Sequence, residues 1–408
     1  AAGFDSTSVQ AGMLRWNGTG WSNIASTNQP LNNFNSYFLY IRGDRAQTVT
    51  GTVGSSSSTT LRAKGTVFTG DRTNSVGAGA FALVPNEYPS AINFTGLTRT
   101  GGVNNLFYIW DSKKLNGSSL GVYQTFSGTN SFNCLVSGGS YTLGQPNTTI
   151  ESGQSFFVTS GAAGTIVLKE SAKISGTNGS LGFRPTVKTK LDTRLYNSLG
   201  EMADASTVVF DAAYGKAVAE EDAPKMGNPG ANFAIESGGK LLAIEGTQPA
   251  KEGDAIQFRM WNLAQGAYSL ELAASNMVLA DGVTATLEDS YLKTTTAISL
   301  SESTKVKFEI NSNAGSSAAN RFRVVFSKAK PAGNNGKQLF TVAPSLIESG
   351  VMNVQFSNQA AGRYSIRLVA TGGQSVMVKA VSHAGGNATQ NISLPSGLAS
   401  GTYTVEVI

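Results

Sequence analysis

The sequence predicts an all-β protein built of tandem β-sandwich or jelly-roll-like modules, on three observations. Charged residues are only 14% of the chain while glycine numbers 47, a balance rich in turn formers and poor in the charge that decorates helices. Short β-branched and aromatic runs recur between Gly, Asn and Ser clusters. Helical periodicity is nearly absent.

Taken in order, "SYFLYIRGD" (Ser36–Asp44), "TTLRAKGTVFTG" (Thr59–Gly70), "QSFFVTS" (Gln154–Ser160) and "GTIVLKE" (Gly164–Glu170) read as strands. "LRWNGTGWSN" sets Trp16 and Trp21 on either side of an Asn-Gly turn, as a hairpin does. Cys134, in "SFNCLVSG", reads as a buried strand residue; as a lone cysteine it has no intramolecular disulfide partner. "YGKAVAEEDAPKM" (Tyr214–Met226) has the chain's best helix propensity and predicts at most one short helix, stopped by Pro224. "TKVKFEI" and "NRFRVVFSK" are long alternating strands of the following segment.

Composition shifts divide the chain into a β-rich module over 1–172, a second over 173–328, a linker over 329–338 and a terminal β-module over 339–408. "ESAKISGTNGS" (Glu170–Ser180) is the turn-rich exit of the first. "AKPAGNNGKQ" combines Pro, Gly and no apolar face, as linkers do. No exact internal repeat joins the three parts. In the terminal module Met352, Val354 and Phe356 fall on one face of a strand. Tyr364, Ile366 and Leu368 fall on one face of the next, and Tyr403, Val405 and Val407 on one face of the last. Such one-sided alternation makes antiparallel sheets that pack as a sandwich. Loss of a fully buried Tyr364 or Tyr403 ring would cost roughly 3–5 kcal/mol.

The residues offer little chemistry. His383 is the single histidine; it reads as a surface or cap residue in a turn, so neither a Ser-His-Asp triad nor a zinc site is expected. Glu220, Glu221 and Asp222 form one acidic run, and no spacing selects a glycosidase pair. Asp211, Asp254 and Asp281 are weighed as calcium ligands, but none lies in the alternating Asp pattern of a calcium loop, so turn aspartates are expected. Trp16, Trp21, Tyr108 and Trp110 could stack on sugars, with packing the favoured role. A net charge of +5 without basic clusters argues against nucleic acid as a partner. No cofactor, metal or enzymatic activity is expected. No apolar run reaches the roughly 18 residues of a membrane helix, so the chain reads as soluble. "AAGFDSTSVQ" reads as the start of a mature, exported chain, with "DST" similar to a short O-glycosylation motif. Sequons at Asn17, Asn93, Asn116, Asn147, Asn178, Asn387 and Asn391 are what chance gives in such a composition.

One resemblance stands out. "PSLIESGVMNVQFSNQAAGRYSIRLVATGGQSV" followed by "HAGGNATQNISLPSGLASGTYTVEV" resembles the type A C-terminal sorting domain of Bacteroidota proteins exported by the type IX secretion system. The matching positions are Gly362, Tyr364, Ile366, Leu368, Gly373, Gln374, Leu394, Pro395, Gly401, Tyr403, Val405 and Val407. The family usually continues past this point with one more β-segment. "FALVPNEYPSAINF" (Phe81–Phe94) is similar to a recurrent "LVGNPYPSPIDW" segment of surface proteins from the same group, departing from it at Pro85 and Glu87. "YIWDSKK", "ESGQSFFV", "NFAIESGGKLLAIEG" and "RFRVVFSK" follow in the same order. The resemblance implies an Ig-like, seven-stranded terminal sandwich. It implies export to the cell surface and recognition by the outer-membrane translocon and its shuttle β-barrel, with the matching positions as docking candidates. Sortase processing and attachment to lipopolysaccharide would follow, in an adhesion or gliding role. Two other readings stay open: a filament subunit self-assembling by strand donation, and a carbohydrate-binding or hydrolytic protein.

Overall fold

The protein is all-β, with four short 3-10 turns and no α-helix among the described residues. The computed structural model describes residues 12–24, 35–40, 65–114, 121–174, 188–328, 339–343 and 350–408. The N-terminal arm, the linker 329–338, the sequons at Asn116 and Asn178, and most of the exit after Ile174 lie outside these. Two compact units form: one from 1–112, 122–186 and 219–223, the other from 113–121, 187–218 and 224–408.

In the first unit the strands are β1 (Met13–Trp16), β2 (Trp21–Asn23), β3 (Tyr37–Leu39), β4 (Arg72–Val76), β5 (Phe81–Pro85), β6 (Ile92–Asn93), β7 (Thr98–Thr100), β8 (Leu106–Asp111), β9 (Val122–Ser127), β10 (Thr149–Ile150), β11 (Ser155–Thr159) and β12 (Gly164–Leu168). A four-stranded sheet, β5-β11-β8-β9, carries apolar residues on both faces. One face sends Val84, Phe107, Ile109, Phe126, Phe156 and Val158 into a core shared with Val76, Ile166 and Leu168 of the β4-β12-β7 sheet. The other face presents Phe81, Tyr108 and Phe157 toward the small β2-β1-β3 sheet. There Trp16 packs edge-on to Phe157 at 4.9 Å, and Phe38 edge-on to Trp110 at 5.2 Å.

The β1–β2 hairpin forms as its turn chemistry requires. Trp16 faces Trp21 in register. The Asn17 side chain accepts from the amides of Thr19 and Gly20, and Gly18 takes φ +102, a conformation that glycine adopts without penalty. The Trp16 indole N–H donates to the Phe81 carbonyl, and that of Trp21 to the Tyr123 hydroxyl. The rings are thus occupied with one another.

The Asn-x-Tyr-Pro-Ser stretch is a polar knot rather than a chemical site. Asn86, 1% exposed, donates through Nδ2 to the carbonyls of Ser90, Ile150 and Glu151 and accepts from the Tyr88 amide. The Tyr88 hydroxyl donates to the Gly70 carbonyl at 2.7 Å. The motif therefore ties its own turn to β10 and the loop before β11. Glu87 faces Arg72 at 3.3 Å, and burial raises its pKa while the guanidinium opposes that shift.

Two strand expectations in this unit need correction. The described part of "TTLRAKGTVFTG", residues 65–70, forms no strand. Cys134 also lies outside the named strands, beside an isolated bridge between Asn133 and Pro146. Its local chain turns through positive φ at Ser131 and Phe132, where Phe132 is held by packing on Phe94 and Phe107. Cys134 is buried, and that burial pushes its thiol pKa up to about 12, the environment of an inert cysteine.

The second unit begins with β13 (Thr189–Tyr196), β14 (Met202–Phe210), β15 (Ala223–Pro224), β16 (Asn232–Ser237), β17 (Lys240–Thr247), β18 (Ala255–Trp261), β19 (Gly266–Ser275), β20 (Val283–Asp289), β21 (Thr294–Ala297), β22 (Thr304–Ile310) and β23 (Phe322–Lys328). Here the strands form one continuous sheet, β21-β20-β23-β18-β16-β17-β14-β13-β19-β22, with β15 paired to β17 off this path. It curls nearly closed, because strands from both of its ends contribute to a single core: Leu287 of β20 and Phe308 of β22 join Leu195, Val208, Phe233, Leu242 and Phe258. β14 and β17 run parallel, which demands the long crossover between them. That crossover contains the stretch predicted to hold at most one short helix. Residues 214–222 form no helix and run through bends and one turn, closed where Asp222 accepts from the Ala219 amide.

Candidate docking surface of the C-terminal module

The terminal strands are β24 (Leu339–Ala343), β25 (Val351–Gln359), β26 (Gly362–Ala370), β27 (Ser375–His383), β28 (Gly386–Ser393) and β29 (Tyr403–Val407). They make two three-stranded sheets, β24-β25-β28 and β27-β26-β29. The described residues thus hold six strands where the resemblance implies seven. Between the sheets lie Met352, Val354, Phe356, Ile366, Leu368 and Ile392, all buried. Among the described residues this apolar core is drawn from β25, β26 and β28, with residues of β24, β27 and β29 and the loop after β28 packed against it.

The docking candidates separate by exposure. Ile366 and Leu368 face the interior, so they stabilise the module and are not available to a partner. Tyr364, Tyr403, Val405, Val407 and Leu394 are partly buried at the margin of the core. Gly362, Gly373, Gln374, Pro395 and Gly401 are exposed. Gly373 takes φ +83 in the turn between β26 and β27, where its amide donates to Ala370 and that of Ala370 to Gln374. Neither Tyr364 nor Tyr403 is fully buried, which corrects the cost expected from losing either ring.

Both tyrosines form corners. Tyr364 donates its hydroxyl to the Ala360 carbonyl at 2.8 Å, and Tyr403 to that of Ala399 at 2.7 Å. A glycine stands two residues before each tyrosine, with the ring lying alongside it. Tyr268 makes the same bond to Ala264, with Gly266 between. "AQGAYSL", "AAGRYSI" and "ASGTYTV" are therefore a degenerate repeat, Ala-x-Gly-x-Tyr-x-apolar. A search for exact identity misses it, whereas spacing alone would have found it. A tyrosine bonded back across a corner fixes the entry of a strand in Greek-key sandwiches.

His383 is also not where the sequence put it. It ends β27 at an inward position, 4% exposed, stacked on Phe356 at 4.7 Å and edge-on to Tyr364 at 5.8 Å. Burial pushes its pKa down, partly offset by the backbone of Gly386 and Gln359.

The two edges of the β27-β26-β29 sheet differ. On β27, Lys379 lies opposite Ile366, an inward register position; a charge there blunts an edge against further pairing. Gln390 of β28 also reaches the Ser382 carbonyl. β29 has no such device. Ser365 and Ile408 exchange both backbone bonds, at 2.7 and 2.9 Å. By antiparallel alternation, Thr404, Glu406 and Ile408 direct their backbone groups to β26, and Tyr403, Val405 and Val407 direct theirs outward. Among the described residues no strand pairs with that outer side. The one charged side chain of β29, Glu406, is matched by Arg367 at 3.4 Å within the sheet.

Elsewhere the charged groups are structural. Arg321, 1% exposed, makes a two-pronged contact with Asp289 and donates to the carbonyls of Glu309 and Ser316. Lys225 pairs with buried Asp204 at 2.5 Å, while the Phe233 amide donates to the same carboxylate. Of the weighed calcium ligands, Asp254 binds Lys216 and the Lys251 amide, and Asp211 caps Ala213. Among the described residues no group of three or more His, Cys, Asp or Glu is arranged to hold a metal ion. None of their helices is long and apolar enough to cross a membrane.

Comparison with known proteins gives a family. The chain belongs to the one described as Domain of unknown function (DUF8693), whose model matches residues 4–326. No curated protein and no solved structure matches it. The matched span stops within β23, so β24 to β29 lie outside it.

Proposed function

We propose that this DUF8693 protein is a secreted, non-enzymatic cell-surface protein whose residues 339–408 are its export module. The module is recognised in folded form by an outer-membrane translocon of the type IX class. The observation that carries the reading is the module itself: a sandwich with its own buried core, formed by strands beyond the family span. The resemblance of "AAGRYSIRLVATGGQSV" and "ISLPSGLASGTYTVEV" to a sorting domain supports the same reading. The exposed turn at Gly373 and Gln374, the loop at Pro395, and Gly362 and Gly401 are candidate positions that a recognition partner can reach. Anchoring to lipopolysaccharide after removal of the module belongs to the proposal, as does a role in adhesion or gliding.

Deletion tests it. In a Bacteroidota host with a working type IX system, the chain ending at residue 338 is expected to accumulate inside the outer membrane while the full chain reaches the surface. Equal surface display of both, measured by protease shaving, would contradict the proposal.

A further inference from the structure

We infer that Lys225 and Asp204 are the site of a self-formed covalent cross-link, an amide between the lysine Nζ and the aspartate Cγ. Asp204 lies on β14, and Lys225 directly follows β15, where the crossover returns to the sheet. Nζ stands 2.5 Å from Oδ1, with the two side chains 3% and 0% exposed, so the carboxyl carbon is one C–O bond beyond the contact. Backbone bonds hold both partners in place. The Lys225 amide donates to the Leu241 carbonyl at 2.7 Å. The Asp204 carboxylate accepts from the Phe233 amide at 2.7 Å on Oδ2 and from the Ala205 amide at 2.9 Å on Oδ1. The lysine–carboxylate pairs Lys190–Asp192, Lys216–Asp254 and Lys328–Glu252 are all more exposed, and the buried cation Arg321 is a guanidinium, a far weaker nucleophile than an amine.

Holding an amine against a carboxyl turns a bimolecular condensation into a unimolecular one, with effective molarities of about 10⁵–10⁸ M for well-oriented groups. The pair also gains by reacting. Two charges withdrawn from water carry a desolvation penalty, and burial accordingly raises the Asp204 pKa against the opposing pull of Lys225 and the two amides. Proton transfer from the ammonium to Oδ1 gives a neutral amine and a neutral acid, the reacting forms. Nζ then attacks Cγ, and the negative charge developing on Oδ2 is met by the Phe233 N–H, as an oxyanion donor meets it in acyl transfer. Oδ1 takes a second proton from the nitrogen and leaves as water. One N–C bond forms, one C–O bond breaks, and the amide keeps the remaining nitrogen proton; the balance needs no oxidant or co-reactant. Exclusion of bulk water then protects the amide from hydrolysis. The product staples β14 to the returning crossover and closes residues 204–225 into a covalent ring.

Mass spectrometry of the full 408-residue chain, purified folded and held at neutral pH until its mass is constant, tests this. The chain is expected to be lighter than its sequence by the mass of one water. Trypsin should fail to cut after Lys225, and the map should contain a branched peptide joining residues 195–216 to residues 217–240. Lys225→Arg keeps a cation opposite Asp204 and should restore the full mass, with folding checked by thermal melting. Lys225→Met should restore it as well. A parent chain of full mass would overturn the inference without recourse to either variant. So would a water loss that persists in Lys225→Arg or maps elsewhere, such as to a succinimide at Asp281-Gly282.

Discussion

Tyr403 closes on Ala399: its hydroxyl donates at 2.7 Å to a carbonyl four residues upstream, at the point where the chain turns into its last strand. Tyr364 and Ala360 repeat the relationship on the neighbouring strand. A phenol hydrogen bond of this kind contributes about 0.5–1.5 kcal/mol net. Tyr403→Phe should therefore lower the stability of the terminal module by about 1 kcal/mol, and so should Tyr364→Phe. Tyr403→Ala should cost less than the ~3–5 kcal/mol of a fully buried aromatic, since the ring is partly exposed. Urea denaturation followed by module-specific signals checks this. A Phe variant as stable as the parent would mean the corner bond contributes nothing.

What the sequence made legible here, and what it hid, follows from range. Inward positions such as Val354, Ile366 and Leu368 were readable because alternation is local. So was the Trp16–Trp21 hairpin, whose Asn17-Gly18 turn dictates its own geometry. His383 was misplaced because the adjoining glycines suggested a turn beginning earlier, and only the pairing of Gly362 with His383 extends β27 that far. The nearly closed sheet of the second unit was hidden for a different reason. Contacts such as Thr207 with Ile244 depend on non-local register, which no local pattern encodes. The outward alternation along β29 likewise appeared only once Ser365 and Ile408 were seen paired.

His383 makes the terminal module sensitive to acid. Its folded pKa is depressed by burial, whereas the unfolded chain titrates near the ordinary value of about 6.5. The unfolded state therefore binds the proton more readily. Stability should be full above about pH 6.5, fall as pH drops below it, and level off below the depressed folded value. Between pH 8 and pH 5 the module should lose stability, and His383→Phe should lose less. Equal losses in the two proteins would show that the buried imidazole is not the source.

Hydrogen exchange reads the edge directly. In dilute protein the amides of Thr404, Glu406 and Ile408, directed to β26, should exchange slowly. Those of Tyr403, Val405 and Val407 should exchange rapidly. An alternating fast–slow pattern along residues 403–408, resolved by NMR, is the expected outcome. Uniform protection at low concentration would mean that the outer side of β29 is already covered within the chain.

The central claim, that the terminal module is an export signal acting in folded form, is tested most directly by transplantation. A reporter carrying its own signal peptide is fused ahead of residues 329–408 and expressed in a Bacteroidota host with a type IX system. Its exposure is measured by protease cleavage on intact cells. The account predicts surface exposure of this fusion, and retention when Ile366→Asp disrupts the buried core. A reporter that stays inside the outer membrane with the intact module, or one exported equally well with Ile366→Asp, would contradict it.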